Sequence, residues 1–344
     1  ASRCWWVASC SVGGGRMAPR PEERRGRRWA RLILQLLSLA LFGLLLWWGG
    51  AEAWQQILTG SLREIVIAFL LIGAVSILSA LRLRWVACAV AGRNLGSWGQ
   101  FFYLNMTARA AGLVMPRSLT TFAGKPVALR ALGMPIKRAV WAVVLDNMLD
   151  LLLLGIWTIP GLLVLQEWTS SAGAIALAAG LTVVLAGGLR WAIAGDRLVR
   201  VFSWLERVPR LAAALPIDRE ADDGMLLGHT AMLPALGLSV LINGMLVLVY
   251  HTIARAVGLW IPWLVFAASF PVTQLSLVLA VTPGGLGIFD AGWYGLLVLS
   301  GVEQQEALNF VIAQRAYVFV YVLVWAGISA LLSLTLERGS AEKN

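Results

Sequence analysis

Ionisable side chains are rare in this chain, and a few sit where an apolar context makes them costly. Arg315 falls eight residues into an apolar run that opens at Ala307, and Asp146 and Asp150 lie inside another apolar run. A charged group at such a depth costs several kcal/mol unless it is paired or hydrated, so each of these is a functional candidate. Asp146 and Asp150 are spaced i, i+4 and share one helix face, which makes them the expected partners of Arg315. Two readings of Arg315 stay open: it holds an anionic lipid headgroup, with the acids as counter-ions or proton carriers, or it forms an ion pair that locks helices together. Thr282-Pro283-Gly284-Gly285-Leu286-Gly287 is a sharp turn in an apolar region. Its glycines permit positive φ, and free N–H groups ahead of a helix start form a phosphate cradle. Asp290 is placed to cap that helix. Arg117, directly after Pro116, together with Arg109, Lys125 and Arg130, suggests a basic vestibule; for Lys125 and Arg130 ordinary charge anchoring is the simpler reading. Arg82 and Arg84 read as helix-end residues that reach toward the interface. Asn147 and Gln314 read as helix-to-helix hydrogen bonders.

The elements that must carry these residues are membrane helices. Of 344 residues, 59% are hydrophobic and 13% charged, with a mean hydropathy of +0.77. Soluble domains carry about 25% charged residues. Apolar stretches of about 20 residues recur, each long enough to cross a bilayer, and they lack the period-2 alternation of a barrel. The expected architecture is all-α and polytopic. Full crossings are expected at 32–50, 65–91, 139–163, 172–194, 231–257 and 307–336, with two Pro/Gly-broken or re-entrant segments at 98–115 and 262–300. Eight crossings are the rival count.

The net charge of +10 comes from basic clusters between apolar runs, which is the positive-inside pattern rather than a nucleic-acid signal. It places the N-terminal leader (Arg20 to Arg31), Arg82 to Arg93, Arg117 to Arg138, residues 195–225 and the tail on the cytoplasmic side of the inner membrane. Residues 51–64 and 164–171 are placed outside. Residues 1–31 read as a disordered basic leader, with 1–16 expected to be a translated upstream stretch before Met17. Residues 337–344 read as a cytoplasmic tail. Most of the seventeen tryptophans are assigned to interfacial belts or helix packing.

The broken segments repeat. Gly92 and Gly258 are followed by Pro116 and Pro283, then by Gly133 and Gly301, and then by Ala139 and Ala307, each opening a long apolar helix. Asp146-Asn147 and Gln314-Arg315 fall in matching positions. The copies, about 82–150 and 249–318, enter their last helices from opposite sides, which makes the repeat inverted. Paired, interrupted segments in inverted halves point to a transport site near the midplane. An inherited duplication that only packs helices is the other reading.

Several motifs carry a family resemblance. They are Leu81-Arg82-Leu83-Arg84-Trp85, Met115-Pro116-Arg117, Leu129-Arg130-Ala131-Leu132-Gly133, Leu145-Asp146-Asn147-Met148-Leu149-Asp150, and the late stretch Thr282–Gly287 followed by Gly301-Val302 and Arg315. On these the chain resembles the lysylphosphatidylglycerol synthase transmembrane-region family, also called the flippase-like domain family, over about residues 30–336. The resemblance implies movement or binding of a lipid, including isoprenoid-linked ones. The sequence departs from the family in having Gly124-Lys125-Pro126 without a nearby acid, and Asp290 where a Glu is common.

The expected function is therefore a translocator of an anionic phospholipid or polyprenyl phosphate. A membrane transferase on a lipid-linked substrate and a non-transporting scaffold subunit are the alternatives. Enzyme signals are sparse: Gly124-Lys125 lacks the other residues of a P-loop, and the chain carries no segment long enough for aminoacyl transfer. Cys4, Cys10, Cys88, His229 and His251 show no metal or disulfide spacing. No cofactor, no metal and no nucleic acid are expected. The partners expected are the bilayer and an anionic lipid, with a homo-oligomer or a biosynthetic enzyme left open.

Overall fold

The computed structural model describes residues 55–116, 119–194, 229–279, 282 and 284–341. The expected crossing at 32–50, the leader, the segment 195–225, Arg117 and Pro283 lie outside these residues. Every regular element described is helical. In chain order they are α1 (Leu62–Ala91), α2 (Trp98–Val114), α3 (Lys125–Ala131), α4 (Ile136–Leu165), α5 (Ser171–Ala194), α6 (His229–Ala256), α7 (Trp263–Leu279), α8 (Ile288–Leu299) and α9 (Gln304–Ala341). A π-helical turn, Thr120–Gly124, leads into α3. Among the described residues, α1, α4, α5, α6 and α9 are long and apolar enough to cross a membrane. The chain is a polytopic membrane protein.

The two segments read as broken hold only short helices among the described residues. Region 98–115 is the 17-residue α2, and 262–300 is the 17-residue α7 followed by α8. A helix of that length spans about 25 Å, short of a full crossing with its interfaces. α2 starts on a capping box: the Ser97 side chain accepts from the Gln100 N–H, and Gln100 Oε1 accepts from the Ser97 N–H. Gly92, Gly133, Gly258 and Gly301 share one backbone conformation, with φ of +66°, +87°, +81° and +83°.

α1 and α6 pack together along their lengths in opposite directions, with the Ser61 N–H donating to the Ala256 carbonyl at 2.9 Å. α2 packs on α9, and α7 packs on α4. α9 is stitched to the start of the bundle by three aromatic donors one turn apart. Tyr317, Tyr321 and Trp325 donate to the carbonyls of Ile57, Ile65 and Phe69 at 2.8, 2.9 and 3.1 Å. Gly73 seats the Trp325 ring: a Cβ there would lie 2.1 Å from Trp325 Cζ2. A buried aromatic cluster around Trp293, with Tyr250, Phe266 and Phe310, fills the second half.

Charge is segregated between the two ends of the bundle. Arg84, Arg93, Lys125, Arg130, Lys137, Arg138 and Arg190 lie near one end, whereas Glu64, Glu167, Glu303 and Glu306 lie near the other with Arg63 and Arg255. At the acidic end, Arg255 approaches Glu64 at 3.9 Å and stacks over Trp260, its guanidinium carbon 4.6 Å from the ring centroid.

Candidate functional site

Two buried polar centres lie inside the bundle, and the predicted residues divide between them in an unexpected way. Asp146 and Asp150 do not meet Arg315. Their partner is Arg82, which is 3% exposed and belongs to the interior rather than to a helix end. Arg82 lies 21 residues into a 30-residue helix, and its guanidinium turns inward to the acids of α4 rather than along α1 toward its end. Its Nε donates to Asp146 Oδ1 at 2.8 Å, and its Nη1 and Nη2 clasp the two oxygens of Asp150, the second at 2.8 Å. Nη1 also donates to Ser239 Oγ at 2.6 Å, and Asn243 Nδ2 reaches Asp150 at 3.4 Å. The cluster thus ties α1 and α4 to α6. Arg84, by contrast, does lie at the helix end, donating to the Gly96 carbonyl and to Asn94.

The second centre forms where both interruptions converge on Gly112, near the end of α2. The Gly284 N–H donates to the Gly112 carbonyl at 3.1 Å, and Gly112 faces the hydroxyl of Thr120, the first residue of the π-turn. Gly284, Gly285 and Gly287 have φ of +60°, +70° and +89°, which a residue with a Cβ adopts only at a cost. Arg315, on α9, closes the loop. Its Nε donates to Asp290 Oδ1 at 2.6 Å, and its Nη1 and Nη2 donate to the carbonyls of Gly284 and Gly285 at 2.7 and 3.3 Å. Asp290 caps α8 as expected, accepting from the Gly287 N–H at 3.0 Å. Phe289 lies under the guanidinium, 5.0 Å from ring centroid to Cζ.

The expected cradle of free N–H groups is not there. The N–H groups of Gly284, Gly285 and Gly287 are spent on Gly112, Thr282 and Asp290. The carbonyls of Gly284 and Gly285 are taken by Arg315 and that of Leu286 by the Thr282 hydroxyl, so the loop contributes shape and the cationic groups come from side chains. The Arg315 side chain retains 18% exposure. Arg109 stands one turn before Gly112 on α2 and donates to Ser76 Oγ at 3.2 Å and Ser79 Oγ at 3.0 Å on α1. Those hydroxyls in turn donate to the Ile72 and Val75 carbonyls.

Asn147 bonds the Val143 carbonyl of its own helix rather than a neighbouring helix. Gln314, adjacent to Arg315 and 1% exposed, leaves its Nε2 without a partner among the described residues. Among those residues, no three His, Cys, Asp or Glu side chains gather as a metal ion would need. The residue that sequence reasoning misplaced is Arg82. Its signal was available, since a full helical span extends past it.

A family model described as the lysylphosphatidylglycerol synthase TM region matches residues 35–326. The chain belongs to that family. The matched span takes in both interruptions, the Arg82 cluster and the Arg315 junction, so the lysylphosphatidylglycerol synthase TM region accounts for the whole described bundle up to the last turns of α9. No curated protein matches the chain.

Proposed function

We propose that this protein moves an anionic, phosphate-bearing lipid between the leaflets of the inner membrane, either a phospholipid or a polyprenyl phosphate, with its termini on the cytoplasmic side. The observation that carries the proposal is the convergence of the two helix interruptions on Gly112 inside an apolar bundle. Irregular backbone at such a depth is tolerated where protein or a watery cavity covers it, and in transporters it lines the path of the cargo. The shared element order of the two halves, the exchange of short helices between them and the common φ of Gly92, Gly133, Gly258 and Gly301 support an inverted repeat. In this arrangement α2 and the α7–α8 segment are re-entrant.

Arg109 and Arg315 flank the junction and are the groups that receive the phosphate. Gly284, Gly285 and Gly287 shape the passage, while Asp290 orients Arg315. Asp146 and Asp150 are engaged by Arg82 and act through helix packing, not as ligands of the headgroup. The lipid tails remain in the bilayer while the headgroup passes the junction. The family name refers to a synthase whose product, lysylphosphatidylglycerol, bears a phosphate, the one feature it shares with the proposed cargo.

Proteoliposomes that hold only this protein, without ATP, test the reading. Labelled phosphatidylglycerol, phosphatidylcholine and a polyprenyl phosphate are offered in turn. One anionic class should cross faster than in protein-free vesicles, and Arg109→Gln should slow it about tenfold, the loss of one charge-assisted hydrogen bond. Equal rates for Arg109→Gln and the parent, or no acceleration of any lipid by folded protein, would overturn the proposal.

A further inference from the structure

We infer that the segment Leu119–Arg138 is an interfacial ledge that binds the anionic headgroups of the leaflet at the basic end of the bundle. The segment comprises the π-turn, α3 and the first residues of α4. It contains Lys125, Arg130, Lys137 and Arg138 and no Asp or Glu. Its inward side is anchored, since Leu129 and Met134 are fully buried in the core cluster that includes Leu83 and Phe101. Its outward side is the unusual one. Phe122 is 48% exposed, Val127 63% and Ile136 39%, and the exposed Arg130 and Lys137 lie among them.

Neither bulk phase suits such a face. Water leaves Phe122, Val127 and Ile136 as an exposed apolar patch, and hydrocarbon leaves Arg130 and Lys137 without hydration. The headgroup boundary satisfies both, with the apolar groups immersed in the upper acyl region and the cations among phosphates. The absence of any acid in the segment makes the preference one for anionic lipid rather than for a zwitterionic surface. The ledge is also held firmly, because Arg93 Nη2 donates to the Gly133 carbonyl at 2.6 Å where α3 turns into α4. The inference is independent of lipid movement: a protein that translocates nothing can still carry this ledge.

The test uses the full chain in nanodiscs of mixed phosphatidylcholine and phosphatidylglycerol, with the retained lipids counted by native mass spectrometry. Retained phosphatidylglycerol should exceed its share of the bilayer. In the Arg130→Glu/Lys137→Glu variant the ratio should fall by about fivefold for each charge reversed. Arg130→Lys should leave it in place. An unchanged ratio in a variant that melts like the parent in phosphatidylcholine overturns the inference. A second measurement covers failure to fold. A polarity-sensitive label on Val127→Cys, with Cys4, Cys10 and Cys88 replaced by Ser, should be quenched by lipid brominated near the headgroup. Quenching by aqueous iodide alone, or shielding from both quenchers as beneath a second protein, overturns the inference as well.

Discussion

The Arg82 cluster and the Arg315 junction each bury a guanidinium in an apolar bundle, but they treat it differently. Arg82 meets two carboxylates and a serine from two other long helices, and it is sealed. Arg315 meets one carboxylate and two backbone carbonyls, all from the loop and helix start that follow α7, and its side chain stays partly exposed. The first arrangement fixes three regular helices against one another. The second satisfies carbonyls that a broken helix leaves without partners, which is the obligation any interruption inside a bilayer must meet. Exposure alone does not divide them, since Asp150 is 29% exposed in the first centre and Arg315 18% in the second; the division is between regular helix, which suits architecture, and irregular backbone, which suits contact with a moving ligand.

Substitutions can separate the two roles. Arg82→Ala should be the most damaging, because it strands Asp146 and Asp150 without a counter-charge; the expected loss is about 3–5 kcal/mol in reversible unfolding from mixed micelles. Arg315→Ala should cost less, about 1.5–3 kcal/mol, since Asp290 keeps the Gly287 N–H; its effect on lipid movement should exceed its effect on unfolding. If Arg315→Ala destabilises as much as Arg82→Ala and leaves movement of the folded fraction intact, the distinction between the centres collapses. Gly284→Ala should cost about 1–2 kcal/mol from its positive φ, with further crowding because the new Cβ lies 3.4 Å from the Leu113 carbonyl. The smallest change should come from replacing the whole cluster, Arg82→Met/Asp146→Leu/Asp150→Leu. Apolar groups of similar volume commonly match or exceed a buried ionic triad in stability, so unfolding near the parent's midpoint is expected, with lipid movement preserved. A stable triple variant that moves no lipid would assign the cluster a part in transport.

Much of the fold was legible in the residues. Long apolar runs located α1, α4, α5, α6 and α9 because lipid demands continuous helix of bilayer length. Gly92, Gly133, Gly258 and Gly301 stood out by spacing alone, and all four adopt the left-handed conformation that ends or turns a helix. Asp290 was readable as a cap because a cap is a contact over three residues. The partners of the buried charges were not legible in this way. Arg82 lies 64 residues from Asp146 and 157 from Ser239, and no local rule connects them. The Gly284 N–H looked available in sequence because its acceptor, the Gly112 carbonyl, arrives from α2, far earlier in the chain, whereas the acceptors of Gly285 and Gly287, Thr282 and Asp290, lie in the loop and helix start themselves.

Composition and periodicity by themselves determined that the chain enters a membrane, where its helices run and where they break, since those properties depend on the free energy of each residue in lipid and on turns only a few residues long. Tertiary structure decided which arginine met which acid. That choice rests on how α1, α4, α6 and α9 rotate and slide against one another, a matter of side-chain packing between distant segments that no single stretch of sequence encodes.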